Sequence, residues 1–158
     1  MQTQTAQASI NGPWSAKEIA QFLQDTCYPM RLACVGADGY PRVVSVWFLY
    51  ERGQLFCASH SSSQLVALLG GDGRIGFEVA TNDPPYFGVR GQGDAALTTS
   101  GGDRMLERLL ERYLGRLDSP LAKWLLSRKA EEVLITLTPR RLFSWDYRQR
   151  MGSTVETS

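Results

Sequence analysis

The region that most constrains the fold is residues 40–64, in which two apolar runs are followed by a cluster of serines. The runs, residues 43–50 and 55–58, are rich in β-branched and aromatic side chains, and a polar segment that contains Gly53 separates them. Two such runs joined by a short turn with a glycine predict a β-hairpin. We therefore expect the fold to be organised around this hairpin and the serines after it.

The serine cluster, residues 59–64 with the sequence SHSSSQ, lies between the second apolar run and a segment whose leucines have helical spacing. Backbone N–H groups at the start of a helix, together with hydroxyl side chains, can bind an anion such as a phosphate. Serine also favours ordinary helix caps and turns. The cluster therefore predicts either half of a site for a flavin-type cofactor or a purely structural capping turn.

The balance of charge and apolar content excludes several classes of protein. The 158 residues carry 17 Lys and Arg against 16 Asp and Glu, a formal net charge of +1, so no electrostatic attraction to nucleic acid or to a membrane is expected. No apolar run approaches the roughly 20 residues that a membrane-spanning helix needs, and no signal pattern is visible at the N-terminus. We expect a cytoplasmic protein with one domain over residues 13–150, between flexible tails at residues 1–12 and 151–158.

The cysteines and the single histidine do not predict a metal centre. Cys27, Cys34 and Cys57 have no CxxC spacing, and His60 is the one histidine of the chain. A zinc site would therefore need an unusual set of ligands. Cys34 and Cys57 lie in apolar strand patterns, where a free cysteine behaves as a small buried apolar side chain.

Hydrophobic periodicity divides the rest of the chain into short helices and strands. A helix is predicted to begin at Ser15, which can form a capping box with Glu18, and to end near Asp25. Further helices are expected at residues 63–69, 103–116 and 121–129, and further strands at residues 30–35, 75–80, 86–97, 133–138 and 141–147. The charged side chains of the helix over residues 103–116 should form a solvated face. Five to seven strands, without a βαβ pattern or a GxGxxG motif, favour a small antiparallel barrel over a Rossmann domain.

These segments, in this order and with this spacing, resemble the FMN-binding split-barrel superfamily, which contains pyridoxamine 5'-phosphate oxidase-like proteins and flavin or deazaflavin oxidoreductases. The matching sequences lie within residues 28–147: RLACVGADGYPRVVSVWFLYERGQLFCAS, SSSQLVALL, RIGFEVA, VRGQGDAAL and LITLTPRRLFSWDY. The resemblance implies a mainly β fold, an antiparallel split β-barrel of about six strands with short peripheral helices. It also implies a homodimer with FMN in a groove that the two subunits share.

The resemblance assigns candidate cofactor-binding residues by position. Those on the strand beside the flavin ring are Val44, Ser45, Val46, Trp47 and Phe48. Those near the ribityl chain and the phosphate are Cys57, Ala58, Ser59, Ser62, Ser63 and Gln64. Members of the superfamily often have a lysine on the phosphate at the position of Gln64, and a charged contact is roughly twice as strong as a neutral hydrogen bond. Arg42 and Arg90 are the candidates to supply the missing charge, together with the serine hydroxyls and the start of the helix.

Three of the candidates allow two interpretations each. His60 either contacts the edge of the cofactor or acts as an acid or base, although no carboxylate partner for it is visible in the sequence. Trp47 either stacks near the flavin or fills the barrel. Arg90 lies on a glycine-rich strand, where it either contacts the cofactor or belongs to a solvated face.

The predicted function is that of an FMN-dependent oxidoreductase, which acts on a small organic substrate by hydride transfer at the flavin. One histidine does not allow a Ser-His-Asp or Cys-His arrangement, and no catalytic residue is assigned. The activity of pyridoxamine 5'-phosphate oxidase itself is not expected, because Arg148 and Arg150 lack the spacing of a substrate-phosphate site. Two alternatives remain: an F420-dependent reductase of the same fold, and a non-catalytic protein that binds or carries a flavin or haem.

Overall fold

The computed structural model describes residues 7–152 of the chain. In this part the chain forms eight strands, five helices and one turn of 3-10 helix. The strands are β1 (Ser9–Asn11), β2 (Met30–Val35), β3 (Pro41–Val46), β4 (Leu49–Glu51), β5 (Gln54–His60), β6 (Arg74–Ala80), β7 (Phe87–Thr98) and β8 (Glu132–Asp146). The helices are α1 (Ala16–Asp25), α2 (Gln64–Gly71), α3 (Gly102–Leu114), α4 (Pro120–Leu126) and α5 (Arg148–Gly152), and the 3-10 turn is η1 (Lys129–Glu131).

Three of the five helices, α1, α2 and α4, begin at a serine whose side chain accepts a hydrogen bond from the first turn. Ser15 Oγ accepts a hydrogen bond from the Glu18 N–H at 3.2 Å, and the Glu18 carboxylate accepts one from the Ser15 N–H at 2.7 Å. This confirms the capping box predicted for α1. Ser63 and Ser119 cap α2 and α4 with one hydrogen bond each. No helix within residues 7–152 is long and apolar enough to cross a membrane.

The strands form one sheet, and its order corrects the hairpin predicted over residues 40–64. The order is β3-β2-β6-β7-β8-β5-β4, with β1 paired in parallel to β8. The apolar run 43–50 is two strands, because β3 pairs with β2 whereas β4 pairs with β5. Only Trp47 and Phe48 link β3 to β4, although these strands lie at opposite ends of the sheet. The sheet must therefore curl round, which makes it a mainly antiparallel split barrel that stays open between β3 and β4 in the described chain.

The last strand is one element where the sequence predicts two. β8 runs for fifteen residues through Pro139 and pairs with β7 on one side and β5 on the other. The register shifts between Gln92 and Gly93, and Arg140 is the extra residue of a β-bulge next to the proline. Because proline has no N–H to give to the ladder, the bulge lets the strand continue past it.

Among the described residues, secondary structure begins earlier than predicted. β1 pairs with residues 141–143 of β8, so residues 9–11 are a strand and not part of a tail. Residues 1–6 and 153–158, which the sequence also assigned to tails, lie outside the described residues. At the other end α5 extends to Gly152, two residues past the predicted limit at residue 150.

Two apolar clusters hold these elements together. One lies inside the curled sheet, and its fully buried members include Leu32, Phe48, Leu55, Val79 and Ile135. Cys34 and Cys57 belong to it as predicted. The second cluster, formed by Leu106, Leu110 and Ala122, packs α3 and α4 against the outside of the sheet, where Trp47 and Ala58 join it. This second cluster brings the two helices to the ends of β3 and β5.

Candidate functional site

A cleft opens where the ends of β3 and β5 meet α3 and α4, and we call it the strand-end cleft. Its volume is about 390 Å³. Six predicted cofactor-binding residues line it: Ser45, Val46, Trp47, Ala58, Ser59 and His60. The remaining lining residues are Leu106, Leu109, Trp124, Leu125, Arg128 and Glu132. The curled sheet thus brings together two segments that the resemblance placed beside the flavin ring and beside the ribityl chain.

Other predicted residues of the same two segments do not turn their side chains to the cleft. Phe48 and Cys57 are fully buried in the inner cluster, and Val44 packs against that cluster. Burial raises the pKa of the Cys57 thiol to about 12, so this thiol stays protonated. Successive side chains of a strand point to opposite faces, which explains why Ala58 lines the cleft and Cys57 does not.

Trp47, which lines the cleft, is stacked on the ring of Tyr113 behind it. The rings of Trp47 and Tyr113 lie 5.1 Å apart between centroids and 9° from parallel. The Tyr113 hydroxyl accepts a hydrogen bond from the Phe48 N–H and donates one to the Tyr28 carbonyl, both at 3.2 Å. Tyr113 therefore fixes the short link between β3 and β4. Trp47 packs in the second cluster, outside the barrel, and lines the cleft, so it does not fill the barrel and its stacking on a flavin stays a prediction.

The serine turn before α2 has already used most of its backbone donors. The N–H groups of Ser61, Ser62 and Ser63 donate to the Glu131 carbonyl, to His60 Nδ1 and to the His60 carbonyl at 2.8, 3.1 and 2.9 Å. The Ser63 hydroxyl accepts from the Val66 N–H, as an N-cap does, and lies 2.8 Å from the Ser59 hydroxyl. The structural interpretation of this turn as a cap is therefore confirmed. The backbone donors of this turn that no described residue occupies are the first two N–H groups of α2, on Gln64 and Leu65.

His60 has a carboxylate partner that the sequence did not reveal. His60 Nε2 lies 2.5 Å from Glu131 Oε2, and Nδ1 lies 2.7 Å from the Ser62 hydroxyl. Because Nδ1 accepts the Ser62 N–H, the ring proton is on Nε2 and is donated to Glu131. Glu131 precedes β8 and β8 pairs with β5, so only the sheet pairing brings these two residues together.

The segment between α4 and β8 supplies the charged groups of the cleft, and the sequence did not single them out. Arg128 lies with its guanidinium 5.2 Å from the centre of the Trp124 ring. Glu132 is 7 % exposed, and burial raises the pKa of its carboxyl, an effect that the neighbouring His60 and the charge of Arg128 oppose. Arg128 thus places a positive charge beside the cleft. Gln64, at the position where the superfamily often has a lysine, has no charge.

Arg90 lies in a different depression, on the outer face of the sheet, which we call the arginine face. This depression has a volume of about 560 Å³, and its charged lining residues are Arg31, Glu78, Arg90 and Arg141. The Arg90 guanidinium lies 4.4 Å from the centre of the Phe143 ring. On β8, Phe143 lies ten residues from Val133, and Val133 pairs with Ser59. Ten residues of an extended strand span about 30 Å, so the arginine face is far from the serine turn.

Neither of the two arginines proposed to replace the missing cation reaches the serine turn within one chain. Arg90 is on the arginine face, and most of the length of β8 lies between this face and the serine turn. Arg42 forms an ion pair with Asp38 at 3.3 Å in the turn between β2 and β3. A phosphate at the serine turn would therefore depend on Arg128 or on the start of α2.

Known proteins share the fold of this chain. The family model described as pyridoxamine 5'-phosphate oxidase matches residues 15–146. No curated protein matches the chain. Among solved structures, a conserved hypothetical protein from Mycobacterium tuberculosis is 26% identical, with a TM-score of 0.74 over 93% of this chain and 91% of that chain.

Two further structures carry informative names. A protein named F420 reductase is 25% identical, with a TM-score of 0.62 over 77% of this chain and 94% of that chain. HutZ from Vibrio cholerae, named a haem storage protein, is 16% identical, with a TM-score of 0.62 over 81% of this chain and 92% of that chain. At that identity the second likeness shows the fold alone.

Proposed function

Because the chain belongs to the pyridoxamine 5'-phosphate oxidase family, we propose that it is an oxidoreductase that binds FMN in the strand-end cleft and acts on a small organic substrate. The observation that carries this proposal is that the ends of β3 and β5 line one cleft with aromatic walls, Trp47 on one side and Trp124 on another. When bound, a flavin supplies hydride exchange at its ring. The chain's own residues orient the ring and exclude water.

The cleft fits the ring better than it fits the phosphate. A volume of about 390 Å³ lies in the range of about 300–1,000 Å³ that small-molecule sites have, and apolar and aromatic side chains dominate its lining. The phosphate would have the N–H groups of Gln64 and Leu65, the dipole of α2 and the charge of Arg128. Contacts by Ser62, Ser63 and Gln64 therefore stay a prediction, and FMN should bind with less help from charge than a lysine would give.

The arginine face is the surface on which a second copy of the chain would pack. Val43 is 67 % exposed there, and Phe143 is 36 % exposed, yet none of the described helices covers them. A homodimer through this face would bury the apolar surface of Val43 and Phe143. We do not expect nucleic acid or a membrane as a partner, and we expect the protein in the cytoplasm.

A second candidate cofactor is F420, and the arginine face is the observation that favours it. Arg31, Arg90 and Arg141 lie around one depression and form no ion pair within residues 7–152. F420 has a longer anionic tail than FMN, which such a group of guanidinium groups could hold. Haem binding has no comparable support, because both ring nitrogens of His60 are engaged by Ser62 and Glu131.

The proposal is tested by the visible spectrum of the purified protein and by titration with FMN, F420 and haemin. We expect flavin absorption or saturable binding of FMN, and reduction of the bound flavin by NADH or NADPH would distinguish an enzyme from a carrier.

Ser45→Trp adds an indole at an exposed lining position and should weaken FMN binding at least about tenfold. Glu111→Trp, on the exposed face of α3, is the matched control. Tighter binding of F420 than of FMN would favour the second candidate, and binding of none of the three would refute the proposal.

Gln64→Lys should tighten FMN binding about fivefold, because it places a cation beside the first N–H groups of α2. The side chain of Gln64 is exposed, so the change should not disturb the fold. Gln24→Lys adds the same charge on the exposed surface of α1 and should leave the dissociation constant unchanged. An unchanged constant in Gln64→Lys as well would mean that the phosphate is not bound at the serine turn.

A further inference from the structure

Glu132 has a buried carboxyl group without a hydrogen-bonding partner. It is the first residue of β8, and only 7 % of it is exposed. Its side chain forms no hydrogen bond or ion pair with the other residues that the structure describes. Polar side chains buried to this extent are nearly always hydrogen-bonded, so the carboxyl oxygens, which still reach solvent, bind either water or a group from outside the chain.

The carboxyl group opens into the strand-end cleft and is held there by its backbone. Glu132 is one of the lining residues. Among residues 7–152, the one buried side-chain polar atom that is sealed from solvent without a partner is Arg112 Nε, so the Glu132 oxygens are not sealed inside the protein. A Cβ on Gly102 would lie 2.1 Å from the Glu132 carbonyl oxygen. The start of α3 thus packs directly on the backbone of Glu132 and fixes its position.

The surroundings of Glu132 raise the pKa of its carboxyl. Burial raises the pKa of the carboxyl, whereas His60, its partner on β5, and Arg128, which follows α4, act in the opposite direction. Glu131 on η1 is bound to His60. The side chains that α3 and α4 turn to the cleft are apolar: Leu106, Leu109, Trp124 and Leu125. Since burial is the larger effect, Glu132 keeps its proton at a higher pH than an ordinary glutamate.

A protonated carboxyl group presents an O–H donor and a carbonyl acceptor side by side. The edge of a cyclic amide or imide presents the complementary pair, an N–H next to a C=O. The two groups can therefore form two parallel hydrogen bonds. An ionised carboxylate has acceptors only, so it would keep the bond to the N–H and repel the ring carbonyl.

We propose that Glu132 is a specificity-determining residue of the strand-end cleft, and that its protonated carboxyl binds the N–H/C=O edge of a cyclic amide or imide on the molecule held there. The inference deepens the proposed function and rests on it, because flavins and deazaflavins both carry such an edge on their pyrimidine ring. Molecules that are equally flat but lack this edge, haem among them, would leave the Glu132 carboxyl unpaired and would bind less well.

The test compares FMN with 3-methyl-FMN, in which a methyl group replaces the ring N–H, in fluorescence titrations. The wild type should prefer FMN by about ten- to a hundredfold. Glu132→Gln also has one donor and one acceptor side by side, so it should keep this preference. Glu132→Leu should lose it. Glu111→Gln removes a carboxylate from the exposed face of α3 and should behave as the wild type.

The pH dependence gives a second readout. The affinity of the wild type for FMN should fall as the pH rises through the pKa of Glu132, because the O–H donor is lost, whereas that of Glu132→Gln should not. The free energy of unfolding should also fall as the pH rises. A carboxyl whose pKa is raised on folding stabilises the fold at low pH, and this contribution is lost as the pH rises through the pKa of the folded state. Urea unfolding of the wild type should therefore show a decline with pH that Glu132→Gln lacks, whether or not Glu132→Leu folds.

The outcomes separate this inference from the proposed function. If neither FMN nor F420 binds the wild type, both are wrong. If FMN and 3-methyl-FMN bind equally well, or if Glu132→Leu keeps the full preference, the inference fails and the proposed function stands. If F420 binds in place of FMN, the same variants are titrated with F420, and equal affinities of the wild type and Glu132→Leu would overturn the inference.

Discussion

Replacing Gly93 with alanine is expected to lower the free energy of unfolding by about 3 kcal/mol. A Cβ at this position would lie 2.2 Å from the Thr138 carbonyl oxygen and 2.9 Å from Pro139 Cα. Both are backbone atoms of β8 at the bulge, so they can move away only if the pairing of β7 with β8 opens. Urea denaturation followed by circular dichroism measures the loss.

Gly71→Ala is the matched control for this prediction. A Cβ on Gly71 would meet no atom within 4 Å, and the residue is in the last turn of α2. Alanine favours a helix over glycine by up to about 1 kcal/mol, so this variant should be as stable as the wild type or slightly more so. Equal stability of Gly93→Ala and Gly71→Ala would show that β7 and β8 are less closely paired at the bulge than the structure has them.

Arg112→Met should lower the free energy of unfolding by about 3 kcal/mol. The Arg112 guanidinium donates to the carbonyls of Gln24, Leu23 and Thr26 at 2.6, 3.0 and 2.5 Å, which are the carbonyls left unpaired at the end of α1. Methionine fills a similar volume and donates nothing, so these carbonyls would lose their partner. The measurement is again urea denaturation.

Arg104→Met provides the comparison on the same helix. Arg104 is exposed on α3, and its side chain forms none of the hydrogen bonds that Arg112 forms. Its replacement should change stability by less than about 0.5 kcal/mol. A similar loss in both variants would mean that Arg112 acts through the charge of α3 and not through the end of α1.

Arg112 also shows where helical periodicity fails as a guide. The sequence predicts a solvated face with Arg104, Glu107, Arg108, Glu111 and Arg112. Arg112 is instead half-buried and bound to α1, while Arg108 is paired with Glu51. Periodicity identifies the apolar face of a helix, but it does not reveal which charged side chain lies at the edge of that face, within reach of another element.

The local elements were predictable because their signals lie within a few residues of each other. The capping box of Ser15 and Glu18, the cap at Ser63 and the turn between β4 and β5 all follow from neighbouring side chains. The division of the run 43–50 at Trp47 was not predictable. Both halves are apolar strands, and only their different partners, β2 and β5, distinguish them.

The candidate site divides in the same way. The sequence interpretation named Ser45 to Trp47 and Ala58 to His60, which the structure brings to one cleft. It also named Arg90, which lies on the arginine face, and it missed Arg128 and Glu132. Arg128 and Glu132 reach the cleft only because β8 pairs with β5, a contact between residues more than seventy positions apart.

By itself, the sequence determined the antiparallel barrel class, the places of most strands and helices, and the serine cap at the start of α2. These depend on periodicity and on short-range hydrogen bonds, which a single chain displays directly. The tertiary structure alone decided which face each strand end turns to the cleft, the partner of His60 and the burial of Glu132. These depend on strand pairing and on the docking of α3 and α4, whose contacts join distant residues and leave no local pattern.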